Sequence, residues 1–549
     1  MSPDPNNPRD HRVRNVLFIM CDQLRLDALS CYGGSVIETP NIDRLAARGV
    51  AFDHAHVQGS VCGSSRMSFY TGRYVQSHGT RYNRIPLSIG QRTLGDHLRS
   101  QGVRTMLVGK THMAADREGL GITGLDPDAP EAMYLSECGF EPTLRDDGLM
   151  PGIADMSQLP YNRFLAEHGF DGPNAWHTAA NSVLDEHGER VSGWLLRASK
   201  YPAIVPDELS ETAFMTDQAI ETIRAAGDDP WCIHLSFIKP HWPYVVSEPY
   251  HQLVDPLDLP APNRSEAELE HDHPVLRAFR DLRVSRSMSQ EHIRRTVYPA
   301  YLGLVLQIDH HLGRLFAELD RLGRSDDTMI VLTSDHGDYL GDHWLGEKDW
   351  LHDEVVRVPM IVVDPRPAAD VTRGTTSSAL VEAIDLVPTF VDAVGEITPQ
   401  IDRWLEGQTL APLLHGGGQR RETAVCQSEF AYVEVDLGDD YRRQRATMLR
   451  TDRFKYILSE TGPDLLYDLD ADPNEFVDRA ADPALAAEAR ELRERLFEWY
   501  RDRSNEMTTD LSRALESSTD GFNAHAQGVF IGYWDEAAAA EVGAAHHLS

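Results

Sequence analysis

Five short, largely apolar runs, at residues 16–20, 105–108, 232–238, 329–333 and 360–363, are bounded by polar residues and separated by longer amphipathic stretches. A strand buried on both faces needs no alternation of polar and apolar residues, so such runs read as the middle of a parallel sheet covered by helices. The stretches 39–49, 94–102, 208–227 and 301–323 carry helical periodicity and each ends in glycine, the usual helix stop. The pattern predicts an α/β fold: a large, mostly parallel sheet sandwiched by helices. Residues 115–205 are rich in Pro, Gly, Asp and Asn with little periodicity and read as a long insertion. From about residue 416 the pattern changes. Residues 423–430, 445–451 and 454–460 resemble adjacent antiparallel strands, and a helix is expected over about 483–501. The expected division is a main α/β domain over 1–415, a smaller C-terminal α+β domain with an antiparallel sheet over 416–505, and a tail over 506–549 that could contact a second copy in a homo-oligomer.

The 549 residues carry 52 Lys and Arg against 86 Asp and Glu, a formal charge of -34. Nucleic-acid binding needs clustered cations to release counterions, so this balance excludes a general nucleic-acid binder. An anionic ligand would be repelled by the chain as a whole and needs a local positive pocket. The N-terminal segment lacks the apolar core of a signal peptide, and no run of about 18 apolar residues suggests a membrane span. The six cysteines show no CxxC spacing, which fits reduced thiols and a cytoplasmic location better than a disulfide framework.

Ligands of parallel α/β sheets bind beyond the carboxyl ends of the strands. There the sequence places Asp22-Gln23, Lys110-Thr111-His112, Lys239-Pro240-His241 and Asp335-His336-Gly337-Asp338. One such residue is ordinary turn chemistry; four strands delivering carboxylate, amide, ammonium and imidazole to one edge point to a site. Asp22, Gln23, Asp335 and His336 suit a hard divalent cation, Ca²⁺, Mg²⁺ or Mn²⁺, better than zinc. Cys62 precedes a helix-compatible run, and Arg66 follows four residues later on the same helical face. Taken alone, a free cysteine is more often a buried core residue than a nucleophile.

CGSSR at 62–66 followed by TGR at 71–73 resembles the sulfatase motif CxPSR…TGR, in which the cysteine is oxidised to formylglycine. DQLRLDAL, TPNIDRLAARGVAFDHAH, LVGKTHM, IKPHWPY, TSDHGDYLGDH and LYDLDADPNEFVD are similar in order and spacing to landmarks of the sulfatase branch of the alkaline phosphatase superfamily, over roughly residues 14 to 480. The Asp-Gln pair and LGDHWLGEKDW look most like the phosphonate monoester hydrolases and their arylsulfatase relatives. Lys110 and His112 match the Lys-x-His pair of sulfatases, where the phosphonate hydrolases carry Tyr and Thr. Ser64 stands where the motif has the proline that the modifying enzyme commonly reads, although serine is compatible with some maturation systems.

The resemblance implies a sulfatase for aryl and related sulfate monoesters, matured by a formylglycine-generating enzyme. Cys62 would then be nucleophile and metal ligand, Arg66 would steady its alkoxide, and Lys110 would neutralise the transferred group. His112 would take a proton from the second hydroxyl of the hydrated aldehyde, and His241 and Lys348 would serve the leaving group. Asn83, Lys110, His241 and Lys348 would contact the small anionic ester. Two alternatives stay open: phosphonate monoester or phosphodiester hydrolysis at the same site, and a non-catalytic anion-binding protein that keeps the Cys62 thiol.

Overall fold

The five apolar runs become five strands of one sheet. The structure, a computed structural model, describes residues 13–505 apart from 149–151, 153, 271–272, 419–420, 432–436 and 438–442, and residue 537. The tail expected over 506–549 therefore lies outside the described residues, residue 537 excepted. The main sheet contains β1 (Asn15–Asp22), β2 (Val50–His56), β3 (Arg104–Gly109) and β4 (Glu141–Arg145), and a separate hairpin contains β5 (Ser182–Leu184) and β6 (Arg190–Ser192). The main sheet continues with β7 (Trp231–Pro240), β8 (Thr328–Ser334), β9 (Arg357–Val358), β10 (Met360–Val363) and β11 (Thr375–Glu382). Its order is β11-β2-β10-β8-β1-β7-β3-β4, with β9 beside β2.

Pairing is parallel from β8 through β1, β7 and β3 to β4, and between β11 and β2. The run at 360–363 departs from the expected parallel arrangement, because β10 is antiparallel to both β8 and β2. A parallel return requires a long crossover. The 335–356 connection holds only short helical turns, so the chain comes back beside β8 in the opposite direction. Strand β4 also departs from expectation: it lies within the 115–205 stretch and forms an edge of the sheet.

Successive side chains of a strand point to opposite faces. In β1, Val16, Phe18 and Met20 enter a core with Met67, Phe69, Leu94, Leu98 and Phe390. Leu17, Ile19 and Cys21 enter the other core, with Phe214, Ile220, Val297, Val305 and Ile308 from the helices Glu211–Ala226 and Glu291–Arg321. Beyond the main sheet, β12 (Ala424–Glu429), β13 (Arg445–Arg450), β14 (Phe454–Ser459) and β15 (Leu465–Asp468) form an antiparallel sheet in that order. Leu492 and Leu496 of the Ala486–Asn505 helix cover it through Val425, Leu449, Tyr456 and Leu466. This smaller sheet reaches the main site directly: Gln427 N donates to Gln58 O at 2.9 Å, four residues before Cys62.

Candidate active site

At the carboxyl end of β1 the chain turns sharply at Gln23, whose φ is 68°. Its N–H donates to Asp335 Oδ1 at 3.1 Å, so the ends of β1 and β8 are tied through the residues that follow them. Cys62 is the first residue of the helix Cys62–Thr71 and is 1% exposed. Its Sγ lies 3.1 Å from His336 Nε2 and 3.7 Å from Asp22 Oδ1. Asn83 Oδ1 accepts the Gly63 N–H at 2.7 Å, satisfying one of the helix's free N-terminal donors. A Cβ on Gly63 would approach that oxygen to 2.9 Å, so the close approach requires glycine.

One turn into the helix, Arg66 is fully buried. Its Nε donates to Asp335 Oδ2 at 2.7 Å and its Nη2 to Asp22 Oδ2 at 3.3 Å, while Nη1 donates to Ser236 Oγ and Lys110 O at 2.7 and 2.9 Å. Lys110 Nζ donates to Asp22 Oδ2 at 2.5 Å. Both N–H groups of Thr111 and His112 donate to Asp147 Oδ1 at 2.9 Å, which shapes the turn carrying Lys110 and His112. His112 has a φ of 58°, and its Nδ1 is buried without a protein partner among the described residues.

The last pair faces Cys62 from the β7 and β8 sides. Lys348 Nζ donates to Gln23 Oε1 and to His241 Nε2, at 2.9 Å each. His241 Nδ1 lies 2.9 Å from Trp242 O and must carry the proton there, leaving Nε2 as the acceptor from Lys348. Burial, with the adjacent Lys348 charge, lowers the His241 pKa to about 4, in keeping with that neutral form. Burial also works against the Lys348 ammonium, but Cys62 and Glu347 outweigh it and hold its pKa above the ordinary lysine range. For Cys62 burial disfavours the thiolate, yet Lys348, Lys110 and His336 together hold its pKa well below the usual thiol value. The positive pocket required by an acidic chain is present in Arg66, Lys110 and Lys348.

Asp22, Cys62, Asp335 and His336 turn one ligand atom each to a common point, all within 4.8 Å of one another. Burial opposes protonation of His336, but Asp335 and Cys62 raise its pKa to about 9. The negative atoms that hold a proton there can hold a metal cation in its place. His336 Nδ1 lies 2.8 Å from Gly337 O, an outer bond of the kind that orients a ligating imidazole. Two carboxylates and one imidazole, all buried, fit a hard divalent ion. Gln23 borders this cluster. Its Oε1 accepts from Lys348, and its Nε2 donates to Asp338 Oδ2 at 2.5 Å and Tyr244 OH at 3.3 Å.

All eleven sequence-identified residues thus stand at or beside one centre. Those that the sequence reading passes over support them from behind: Ser236 on Arg66, Asp147 on the His112 turn, and Tyr244 on Gln23. Tyr244 closes the IKPHWPY landmark, but neither Ser236 nor Asp147 carries a motif signal. Ser236 lies inside an apolar strand, and Asp147 sits in a segment without periodicity.

A family model described as Sulfatase matches residues 14–396, and one described as N-sulphoglucosamine sulphohydrolase, C-terminal, matches 341–502. Over 515 residues the chain is 30% identical to the multifunctional alkaline phosphatase superfamily protein PehA of Trinickia caryophylli, covering 88% of this chain and 95% of that protein. It is 25% identical over 471 residues to an arylsulfatase of Clostridium perfringens, covering 84% and 89%. The solved phosphonate monoester hydrolase SpPMH from Silicibacter pomeroyi matches with a TM-score of 0.76 and 29% identity over 91% of this chain and 96% of its own.

Proposed function

Because the chain belongs to the sulfatase family of the alkaline phosphatase superfamily, we propose that it hydrolyses sulfate monoesters, aryl sulfates among them, with a formylglycine made from Cys62. The observation that carries this reading is the buried Cys62 Sγ at a helix N-terminus, 3.1 Å from His336 Nε2 and 3.7 Å from Asp22 Oδ1, faced by Lys110 and Lys348. A hydrated aldehyde at position 62 would supply the attacking hydroxyl, and a divalent cation held by Asp22, Asp335, His336 and Gln23 would ease its ionisation and polarise a sulfate oxygen.

The chain's own residues do the rest. Arg66, fixed by Asp335, Asp22 and Ser236, keeps both carboxylates in place under the helix end and adds positive charge beneath position 62. Lys110 lies across Asp22 and offsets charge on the transferred group. His112, whose Nδ1 has no partner among the described residues, accepts the proton whose removal releases sulfate. Lys348 and His241 act as one proton-delivering unit at the leaving oxygen, since the ammonium already donates to the neutral imidazole.

With Cys62 only 1% exposed, a maturation enzyme has to reach it before this region folds. Six unpaired cysteines support a cytoplasmic setting, and among the described residues no helix is long and apolar enough to cross a membrane. The similarity to a phosphonate monoester hydrolase at a TM-score of 0.76 favours a second reading, phosphonate ester hydrolysis at the same site. Measuring kcat/KM for an aryl sulfate and for the phenylphosphonate ester of the same phenol decides the order. The account expects the sulfate to be the better substrate; a preference for the phosphonate would reverse the assignment.

A further inference from the structure

Beside His241 and Lys348 lies a cleft of about 570 Å³, within the size range of pockets for drug-sized ligands. Trp194, Trp242, Pro243, Tyr244, Val284 and Ile293 are among the residues of its wall. The cleft adjoins the site through direct neighbours of the residues assigned to the leaving group. Trp242 follows His241, and their rings lie 4.5 Å apart. Glu347, also in the wall, precedes Lys348 and places a carboxylate oxygen 3.6 Å from its Nζ. Tyr244 OH reaches both the Gln23 amide and Asp338.

The aromatic corner is already fixed. Trp194 and Trp242 meet edge-on with centroids 4.8 Å apart, and the Trp194 indole N–H donates to His177 Nδ1 at 3.2 Å. The polar tips of Trp194 and Tyr244 are thus engaged elsewhere and turn apolar faces to the cleft. A flat aromatic group can pack on these faces, and the exposed guanidinium groups of Arg197 and Arg283, which also line the cleft, can stack on it.

We propose that this cleft binds the alcohol part of the ester and selects planar aromatic alcohols larger than a single phenyl ring. The proposal rests on the neighbouring site being an ester hydrolase, and its test separates the two. Calorimetric titration of the full-length protein with 2-naphthol and phenol measures the cleft without any turnover. Burial of the second ring predicts that naphthol binds about tenfold more tightly. Val284→Trp, which fills the cleft, and Trp194→Ala, which opens its corner, should each weaken naphthol binding by about tenfold. In the matured enzyme, both variants should lower the ratio of kcat/KM for 2-naphthyl sulfate to that for phenyl sulfate. Naphthol binding that neither variant changes, or no preference over phenol, overturns the proposal. If naphthol binds as expected while neither ester is hydrolysed, the cleft stands and the esterase reading falls.

Discussion

Cys62 and Asp335 both belong to the cluster of converging ligand atoms, and the proposed reaction depends on each. Cys62→Ala and Asp335→Asn should each lower kcat by about 10³-fold or more while the far-UV CD spectrum stays native; near-native turnover in either variant would place the site elsewhere. His241 and Lys348 give a sharper test. Lys348 Nζ donates to His241 Nε2, so in the proposed reaction the two would deliver one proton. His241→Ala and Lys348→Ala should each reduce turnover most for esters of weakly acidic alcohols, and the double variant should lose little beyond the worse single. Multiplying losses would show that they act separately. At this scale the sequence is informative wherever a polar residue follows an apolar strand, as Asp22, Lys110, His241 and Asp335 do. Asn83 shows where it is not. The resemblance implies a substrate contact there, and the structure adds that its Oδ1 holds the Gly63 N–H across twenty residues of chain, a pairing that no local spacing reveals.

Among the elements, the central strands are legible because burial on both faces leaves an unbroken apolar run, while β2, β4 and β11 are not. VAFDHAH places Asp53 and His54 in the strand, EPTLR carries a proline at the sheet edge, and TTSSALVE begins exposed; each follows from an edge or half-covered position. Nor does sequence show how the smaller sheet reaches the site. Lys455 of β14 is fully buried, donates to Leu351 O at 3.1 Å and Asp353 Oδ1 at 2.6 Å, and pairs with Glu475. It thereby anchors the loop that carries Lys348. Lys455→Met should destabilise the protein by about 3–5 kcal/mol, because two carboxylates lose a buried partner; an unchanged urea midpoint would contradict this. A second tie in the same region depends on pH. His343 lies 2.7 Å from Glu268 Oε1 and 3.2 Å from Glu354 Oε2. Burial opposes its charge, but the glutamates raise its pKa well above the ordinary imidazole value. Its stabilisation is therefore complete below that ordinary value, about 6.5, and is lost as pH rises through the folded-state value. The Tm difference between wild type and His343→Gln should be larger at pH 6 than at pH 9, and a reversed trend would refute the pairing.

For the molecule as a whole, a charge of -34 surrounds the site, so the proposed chemistry on an anionic ester would have to rest on local cations and a metal ion rather than on the overall field. Removing the ion with EDTA should abolish activity and lower Tm, and excess Ca²⁺, Mg²⁺ or Mn²⁺ should restore both by binding the folded state alone. Activity that survives exhaustive chelation would remove the cation from the account. The central claim concerns position 62 itself and is tested most directly by peptide mass spectrometry of protein made with its native maturation system. Conversion of the Cys62 thiol to an aldehyde should show as a loss of about 18 Da. An intact thiol in that protein would contradict the proposed nucleophile and leave an anion-binding protein in its place.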